Sequence, residues 1–279
     1  MPEGPEIRRA ADALNRVLRA RTALTVRFAA EKFPHLQTFG ERLSGQVVRG
    51  IEPRGKALLT HFDNGLTIYS HNQLYGEWRV FRGSAPPSHL QTRLTIVTVS
   101  HTAILYSASE ISVLPTAAVP QHPYIAKLGV ELLDATTRLS DVVAQVSAPQ
   151  FARRTLAALL LDQGFLAGIG NYLRSDILFV ARLHPAWRPA DLSPAQRHAL
   201  ARAALHLTRR SLRTRGITNE PTLGATSACA LATQGWPYER YRHWIFDREG
   251  EACHICAGVI VREMIAGRQL FRCGRCQAH

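Results

Sequence analysis

Apolar positions at the start of the chain repeat with a helical period. Ile7, Ala10, Ala11, Leu14, Val17 and Leu18 share one face of a helix that begins almost at the first residue. The period then changes to two. Leu24-Thr-Val-Arg-Phe28 alternates as a half-buried strand does. Two apolar runs, 57–62 and 66–70, flank Asp63-Asn64-Gly65, where Asn and Gly tolerate the positive φ of a hairpin turn. Residues 94–99 and 103–106 predict a second hairpin. Many short strands behind one helix read as a β-sandwich or barrel. Helical periods return late, predicting helices over 151–162 and 172–182. Ser193-Pro194-Ala195-Gln196 is a capping box with proline at the first helical position. It opens a helix toward Gly216 whose last turns carry Arg209, Arg210, Arg213 and Arg215, cations that suit the helix dipole.

Pro115, Pro120 and Pro123 crowd the stretch where the period changes. The predicted organisation is an N-terminal β-sandwich domain with its leading helix over 1–114, a linker over 115–130, a helical domain over 131–245 and a C-terminal finger over 246–279. The fold class is α+β and multidomain.

Charge adds a partner to this picture. Lys and Arg number 34 against 21 Asp and Glu, a formal net charge of +13. Such an excess fits a polyanion, because each phosphate contact releases counterions. A membrane surface fits poorly, since no segment joins a strong apolar face to a Lys-rich one. No run of apolar residues is long enough to span a bilayer. The first twenty residues carry acids and bases throughout, unlike a signal peptide. A nucleic acid is the expected partner.

Four of the five cysteines stand as Cys253-x2-Cys256-x16-Cys273-x2-Cys276. Two close pairs of thiolates can close a tetrahedron around zinc. Strands over 259–264 and 269–272, with Ala266-Gly267-Arg268 as the turn, make this a zinc-ribbon-like hairpin. Four thiolates leave no open position, so one structural Zn2+ is expected. Cys229 lies outside the pattern and reads as a free thiol.

Met1-Pro2-Glu3-Gly4-Pro5-Glu6 admits two readings. One is a helix start, with proline in the first turn and acids favoured by the dipole. The other is chemical: removal of Met1 exposes a secondary amine. An α-amine has a pKa near about 8, so much of it is nucleophilic at neutral pH. Attack on an aldehyde-like carbon gives an iminium, already cationic and able to draw electrons, and Glu3 stands beside it to move protons.

These residues, with the C-terminal four-cysteine pattern, resemble the formamidopyrimidine-DNA glycosylase and endonuclease VIII family. The internal motifs agree. Arg54-Gly-Lys-Ala-Leu-Leu59 is similar to the family's lysine-bearing hairpin. His71-Asn-Gln-Leu-Tyr-Gly76 resembles the loop that fills the gap left by an extruded base. Leu161-Asp-Gln-Gly-Phe-Leu-Ala-Gly-Ile-Gly-Asn-Tyr-Leu-Arg174 resembles its helix–two-turn–helix DNA-binding motif. Arg268 falls where the family grips a phosphate from the finger tip.

The resemblance implies a bifunctional glycosylase and abasic-site lyase acting on damaged double-stranded DNA, as a cytoplasmic, nucleoid-associated bacterial monomer. Pro2 is its nucleophile, Glu3 its proton donor, and Lys56 an active-site cation that holds a phosphate or polarises the site. Gln73, Leu74 and Tyr75 form the wedge, and Gly170, Asn171 and Arg268 bind phosphates. Gly4 and the Gln-Leu-Tyr triplet point to the endonuclease VIII branch, which prefers oxidised pyrimidines. A purine-directed enzyme of the same family and a non-catalytic zinc-finger nucleic-acid-binding protein are the alternatives. Two departures bear on substrate range: Asp176 stands where the family commonly has Glu, and residues 218–244 are longer and richer in aromatics than the branch would have.

Overall fold

The leading apolar stripe folds as a helix, α1 (Gly4–Leu18), that buries Ile7, Ala11, Leu14 and Leu18. Glu3 is its N-cap and donates its backbone N–H to Glu6 Oε2 at 3.0 Å, while Pro5 sits in the first turn, where no N–H is needed. The chain is described by a computed structural model that covers residues 2–220, 235, 237–265 and 267–278, with all their side chains except that of Arg240. Met1, Cys229 and Ala266 lie outside the described residues, as does most of the aromatic-rich stretch within 218–244.

Eight strands come after α1: β1 (Thr25–Phe28), β2 (Val48–Arg54), β3 (Ala57–Phe62), β4 (Leu66–His71), β5 (Glu77–Arg82), β6 (Thr92–Val97), β7 (His101–Tyr106) and β8 (Glu110–Pro115). They form two antiparallel four-stranded sheets, ordered β1-β6-β7-β5 and β2-β3-β4-β8. A short helix, α2 (Gln37–Leu43), packs on β1. The Asp63-Asn64-Gly65 hairpin is present, with Gly65 at φ 77° and Leu58 opposite Ser70. Phe28, Leu94, Ile96 and Leu105 from one sheet meet Ile51, Leu58, Phe62 and Ile68 from the other in a shared core. Leu14 and Leu18 of α1 belong to that core; truncating either to Ala would cost about 2–5 kcal/mol.

The chain divides into two compact units, 1–127 and 128–279. The proline-rich stretch read as a linker is ordered as far as Lys127 and belongs to the first unit. Two 3-10 turns, Thr116–Gln121 and Ile125–Lys127, lay it over the second face of the β2-β3-β4-β8 sheet. His122 stacks on Tyr69 with centroids 4.0 Å apart, and Thr116 Oγ1 meets Thr67 Oγ1 at 2.8 Å. The prolines here shape a strap, a role that composition alone does not separate from a linker.

The second unit pairs two short strands, β9 (Val130–Glu131) and β10 (Leu166–Ala167), and carries helices α3 (Leu139–Ser147), α4 (Leu156–Leu159), α5 (Asn171–Val180) and α6 (Pro194–Arg213). Ser193 caps α6, its Oγ accepting from Gln196 N–H. The helix predicted over 151–162 is reduced to α4. Leu156 and Ala157 give their N–H groups to Trp187 and Pro185 carbonyls, so a neighbouring loop replaces the preceding helical turn. The finger hairpin, β11 (Ile260–Ile265) and β12 (Arg268–Cys273), shares the second unit's core through Ile260, Leu270, Phe271 and Cys273. It is not a separate body.

Candidate functional site

In the first unit, Pro2 is half-buried and Glu3 is buried, both at the head of α1, which lies along β2. β2 leads into the Gly55-Lys56 turn, where Gly55 takes φ 57°. Lys56 is buried, with 7% of its surface exposed, unlike a solvated hairpin lysine. Its backbone N–H donates to Tyr124 Oη of the strap at 2.8 Å. Tyr124 also meets His71 edge-on at 5.3 Å. Burial lowers the pKa of His71; Glu110, its cross-strand partner, opposes this, and Lys56 adds to the lowering. The imidazole is therefore neutral at pH 7, and its Nδ1 accepts the N–H of Gln73 at 3.0 Å. Burial, with Glu110 and Tyr124 nearby, pushes the Tyr69 hydroxyl far up, so it stays protonated.

The loop after β4 is closed by Gly76 N–H donating to Asn72 carbonyl at 2.7 Å. A Cβ on Gly76 would lie 2.4 Å from that oxygen, so the closure requires glycine. Gln73 sits at φ 51°, and Leu74 and Tyr75 project into solvent, 47% and 78% exposed. Two apolar side chains held outward on a closed loop can enter a gap between bases.

In the second unit, Gln163 shapes the turn before α5. Its Nε2 donates to Leu161 and Ile169 carbonyls, and its Oε1 accepts from Gly168 N–H at 2.9 Å. Gly168 takes φ 93°, and Gly170 is the N-cap of α5 with Asn171 first in the helix. A helix start presents N–H groups suited to phosphate. Arg174 is fully buried; its guanidinium donates to Ala157 carbonyl, to Asn171 Oδ1 at 2.8 Å and to Gln269 carbonyl at 2.7 Å. One cation thus orients the Asn171 amide and fixes the finger strand next to Arg268, which is exposed as the first residue of β12.

The sulfur atoms of Cys253, Cys256, Cys273 and Cys276 all lie within 4.8 Å of one another. Cys253 and Cys276 are 3.9 Å apart and Cys256 and Cys273 3.4 Å. A tetrahedral zinc with bonds of about 2.3 Å separates its sulfurs by about 3.8 Å, so the set fits that ion. Backbone N–H groups of Ile255, Gly258 and Cys276 point at Cys253, Cys256 and Cys273 sulfurs. Gln277 sits just after the last cysteine, linking Cys273 N–H to its Oε1 and donating to Leu183 carbonyl.

Asp176 is wholly buried in this unit. Its Oδ1 accepts from Ile245 and Phe246 N–H at 3.0 and 3.3 Å. Its Oδ2 takes Thr218 Oγ1, Trp244 N–H at 3.3 Å and His243 Nδ1 at 3.3 Å. Burial alone would raise its pKa, but His243, Thr218 and Ile245 outweigh it and hold the carboxyl below the ordinary range. Sequence reasoning missed the roles of Glu110, Tyr124 and Arg174. Arg174 stood inside a quoted motif, whereas Glu110 and Tyr124 reach Gln73 and Lys56 only through sheet register and the strap.

Residues 1–107 match the formamidopyrimidine-DNA glycosylase N-terminal domain, and residues 128–221 match the H2TH domain of the same enzyme. The matches fall one in each unit and in chain order, which defines a DNA-base glycosylase. The chain belongs to the formamidopyrimidine-DNA glycosylase family, whose members are DNA-repair glycosylases with abasic-site lyase activity. It is 42% identical over 278 residues to Endonuclease 8 of Salmonella arizonae, covering 99% of this chain and 100% of that one. Endonuclease 8 of Salmonella agona matches equally, at 42% over 278 residues. Solved structures share the fold. Lactococcus lactis Fpg (MutM) in complex with DNA containing an oxidised pyrimidine has a TM-score of 0.80 at 20% identity, with 100% of both chains covered. The same enzyme with abasic-site DNA gives 0.82 at 18%, covering 99% of this chain and 100% of that one. Among the described residues, no helix is long and apolar enough to cross a membrane.

Proposed function

We propose that this protein excises oxidised pyrimidines from double-stranded DNA and then cuts the strand by β,δ-elimination through an iminium on Pro2. The carrying observation is Pro2 at the head of α1 with buried Glu3 beside it, in a chain 42% identical to Endonuclease 8 along its length.

With Met1 removed, the Pro2 amine attacks C1′ as the glycosidic bond breaks and the base leaves with its electron pair. Glu3 protonates the opening sugar oxygen, and the ring-opened C1′ is held as an iminium, the amine proton being lost. That cation acidifies the C2′ hydrogens, and loss of one expels the 3′ phosphate. A second elimination expels the 5′ phosphate and leaves phosphate at both ends of the gap. Lys56 holds a phosphate at this site, and its burial fixes where its charge lies. The target base must first leave the stack, and Leu74 and Tyr75, with Gln73, fill the space. Gly170, Asn171 and Arg268 grip backbone phosphates, contacts that set register without reading sequence. The four cysteines hold one zinc, whose chemistry is structural and which fixes the hairpin bearing Arg268. The reading includes a cytoplasmic monomer whose domains are a catalytic sandwich, a helical DNA-binding domain and its finger.

Borohydride with DNA carrying one oxidised pyrimidine should trap a covalent adduct on Pro2, with Met1 absent by mass spectrometry. Glu3→Gln should impair base release more than nicking of a preformed abasic site. An N-terminal tag should abolish both while binding persists. A tagged protein that still nicks abasic DNA would remove Pro2 from the role, and faster release of 8-oxoguanine than of thymine glycol would favour the purine-directed branch.

A further inference from the structure

Of the three wedge residues, only Gln73 is turned back onto the protein. Its Nε2 donates to Glu110 Oε2 at 3.0 Å, and its Oε1 accepts from Ser109 Oγ at 2.7 Å. Glu110 opens β8 and Ser109 immediately precedes it; the sheet aligns this strand start with the end of β4, His71 opposite Glu110. The backbone agrees with this placement, since Gln73 is in the left-handed region with its N–H on His71 Nδ1. Leu74 and Tyr75 face solvent.

We propose that Ser109 and Glu110 are positioning residues that dock the Gln73 amide in the DNA-free protein, and that this dock competes with the base opposite the lesion for the same two amide atoms. The inference rests on the reading of residues 73–75 as the wedge. An amide offers a donor and an acceptor side by side. Carboxylate and hydroxyl together offer the complementary acceptor and donor. Adenine offers that same pair along its edge, and Gln binds it with two hydrogen bonds. Gln73 cannot serve both. An opposite base that matches the amide draws Gln73 out of the dock, and a base that matches it poorly leaves Gln73 behind. The dock therefore contributes to opposite-base selection without touching DNA.

The test is affinity, by fluorescence anisotropy, for a duplex bearing a tetrahydrofuran abasic analogue opposite adenine. Glu110→Ala and Ser109→Ala should each bind about three- to tenfold tighter, the range of one released hydrogen bond at an exposed site. Glu110→Gln, which keeps an acceptor oxygen, should stay near the parent protein. In a Gln73→Ala background, Glu110→Ala should change affinity by less than about twofold, since nothing is left to undock. Equal tightening by Glu110→Gln, or an undiminished effect without Gln73, would assign the change to lost charge and overturn the dock. So would a Gln73 side-chain amide resonance that fails to shift both on Ser109→Ala and on binding the duplex. If the wedge reading itself were wrong, the parent protein would bind the abasic analogue no better than intact duplex. A failed dock alone would leave that preference in place.

Discussion

Replacing Asp176 by Asn keeps the size of the side chain and removes one acceptor. Two donors converge on Oδ1 and three groups on Oδ2. Turned one way, the new NH2 faces the Ile245 and Phe246 N–H donors; turned the other way it faces Trp244 N–H, while Thr218 Oγ1 and His243 Nδ1 can switch to accepting, so at least one buried donor is left unsatisfied. Each buried unsatisfied donor costs about 1–3 kcal/mol. The region anchored by Asp176 should therefore lose about 1–3 kcal/mol of stability. Hydrogen exchange reads this locally: amides of Trp244, Ile245 and Phe246 should lose protection by about five- to a hundredfold, at about 1.36 kcal/mol per decade. The pH dependence has a definite sign. The native carboxyl binds its proton less readily than the unfolded one, so its contribution is complete above about pH 4 and is lost as pH falls through the lower native value. Asp176→Asn should remove that component. Unchanged protection at 244–246, with an unchanged acid limb, would refute the account.

The remaining predictions concern the other contacts. Cys273→Ser should release bound zinc, measured by atomic absorption, and weaken DNA binding while the first unit stays folded. Arg268→Ala should weaken binding to every DNA sequence alike and lower the slope of log affinity against log salt by about one. Leu74→Ala with Tyr75→Ala should slow cutting of base-paired lesions far more than of abasic sites, since only the former need extrusion. His71 is kept neutral in the fold. As pH drops below about 6.5 the unfolded chain takes up the proton first, so stability of the first unit should decline there, and His71→Gln should flatten that decline.

Local rules carried most of the architecture. The stripe in α1, the Asn-Gly hairpin, the capping box of α6 and the cysteine spacing each encode their structure within a few neighbouring residues. Residues 115–127 and 151–155 went the other way, because their conformation is decided by distant partners. His122 and Tyr124 are ordered by Tyr69, His71 and Lys56, and the first turn expected of α4 is displaced by carbonyls at 185 and 187. The same limit applied to the candidate site. Motif residues were visible one by one, but Glu110 beneath Gln73 depends on which strand pairs with which. Asp176 stood out only as a departure from a pattern; its role as the meeting point of residues 218 and 243–246 required the fold.

The strap over the second sheet face also governs the order in which the chain can fold as it is made. A nascent chain that has emerged only as far as Pro115 contains every strand of the sandwich, yet Tyr69 still lacks His122, and Lys56 N–H still lacks Tyr124 Oη. That contact spans 68 residues, so it closes late. The second unit begins at Leu128, four residues beyond Tyr124. Synthesis therefore completes the surface around Lys56 just before the second unit starts to emerge, and the first unit can finish folding while that later one is still being made.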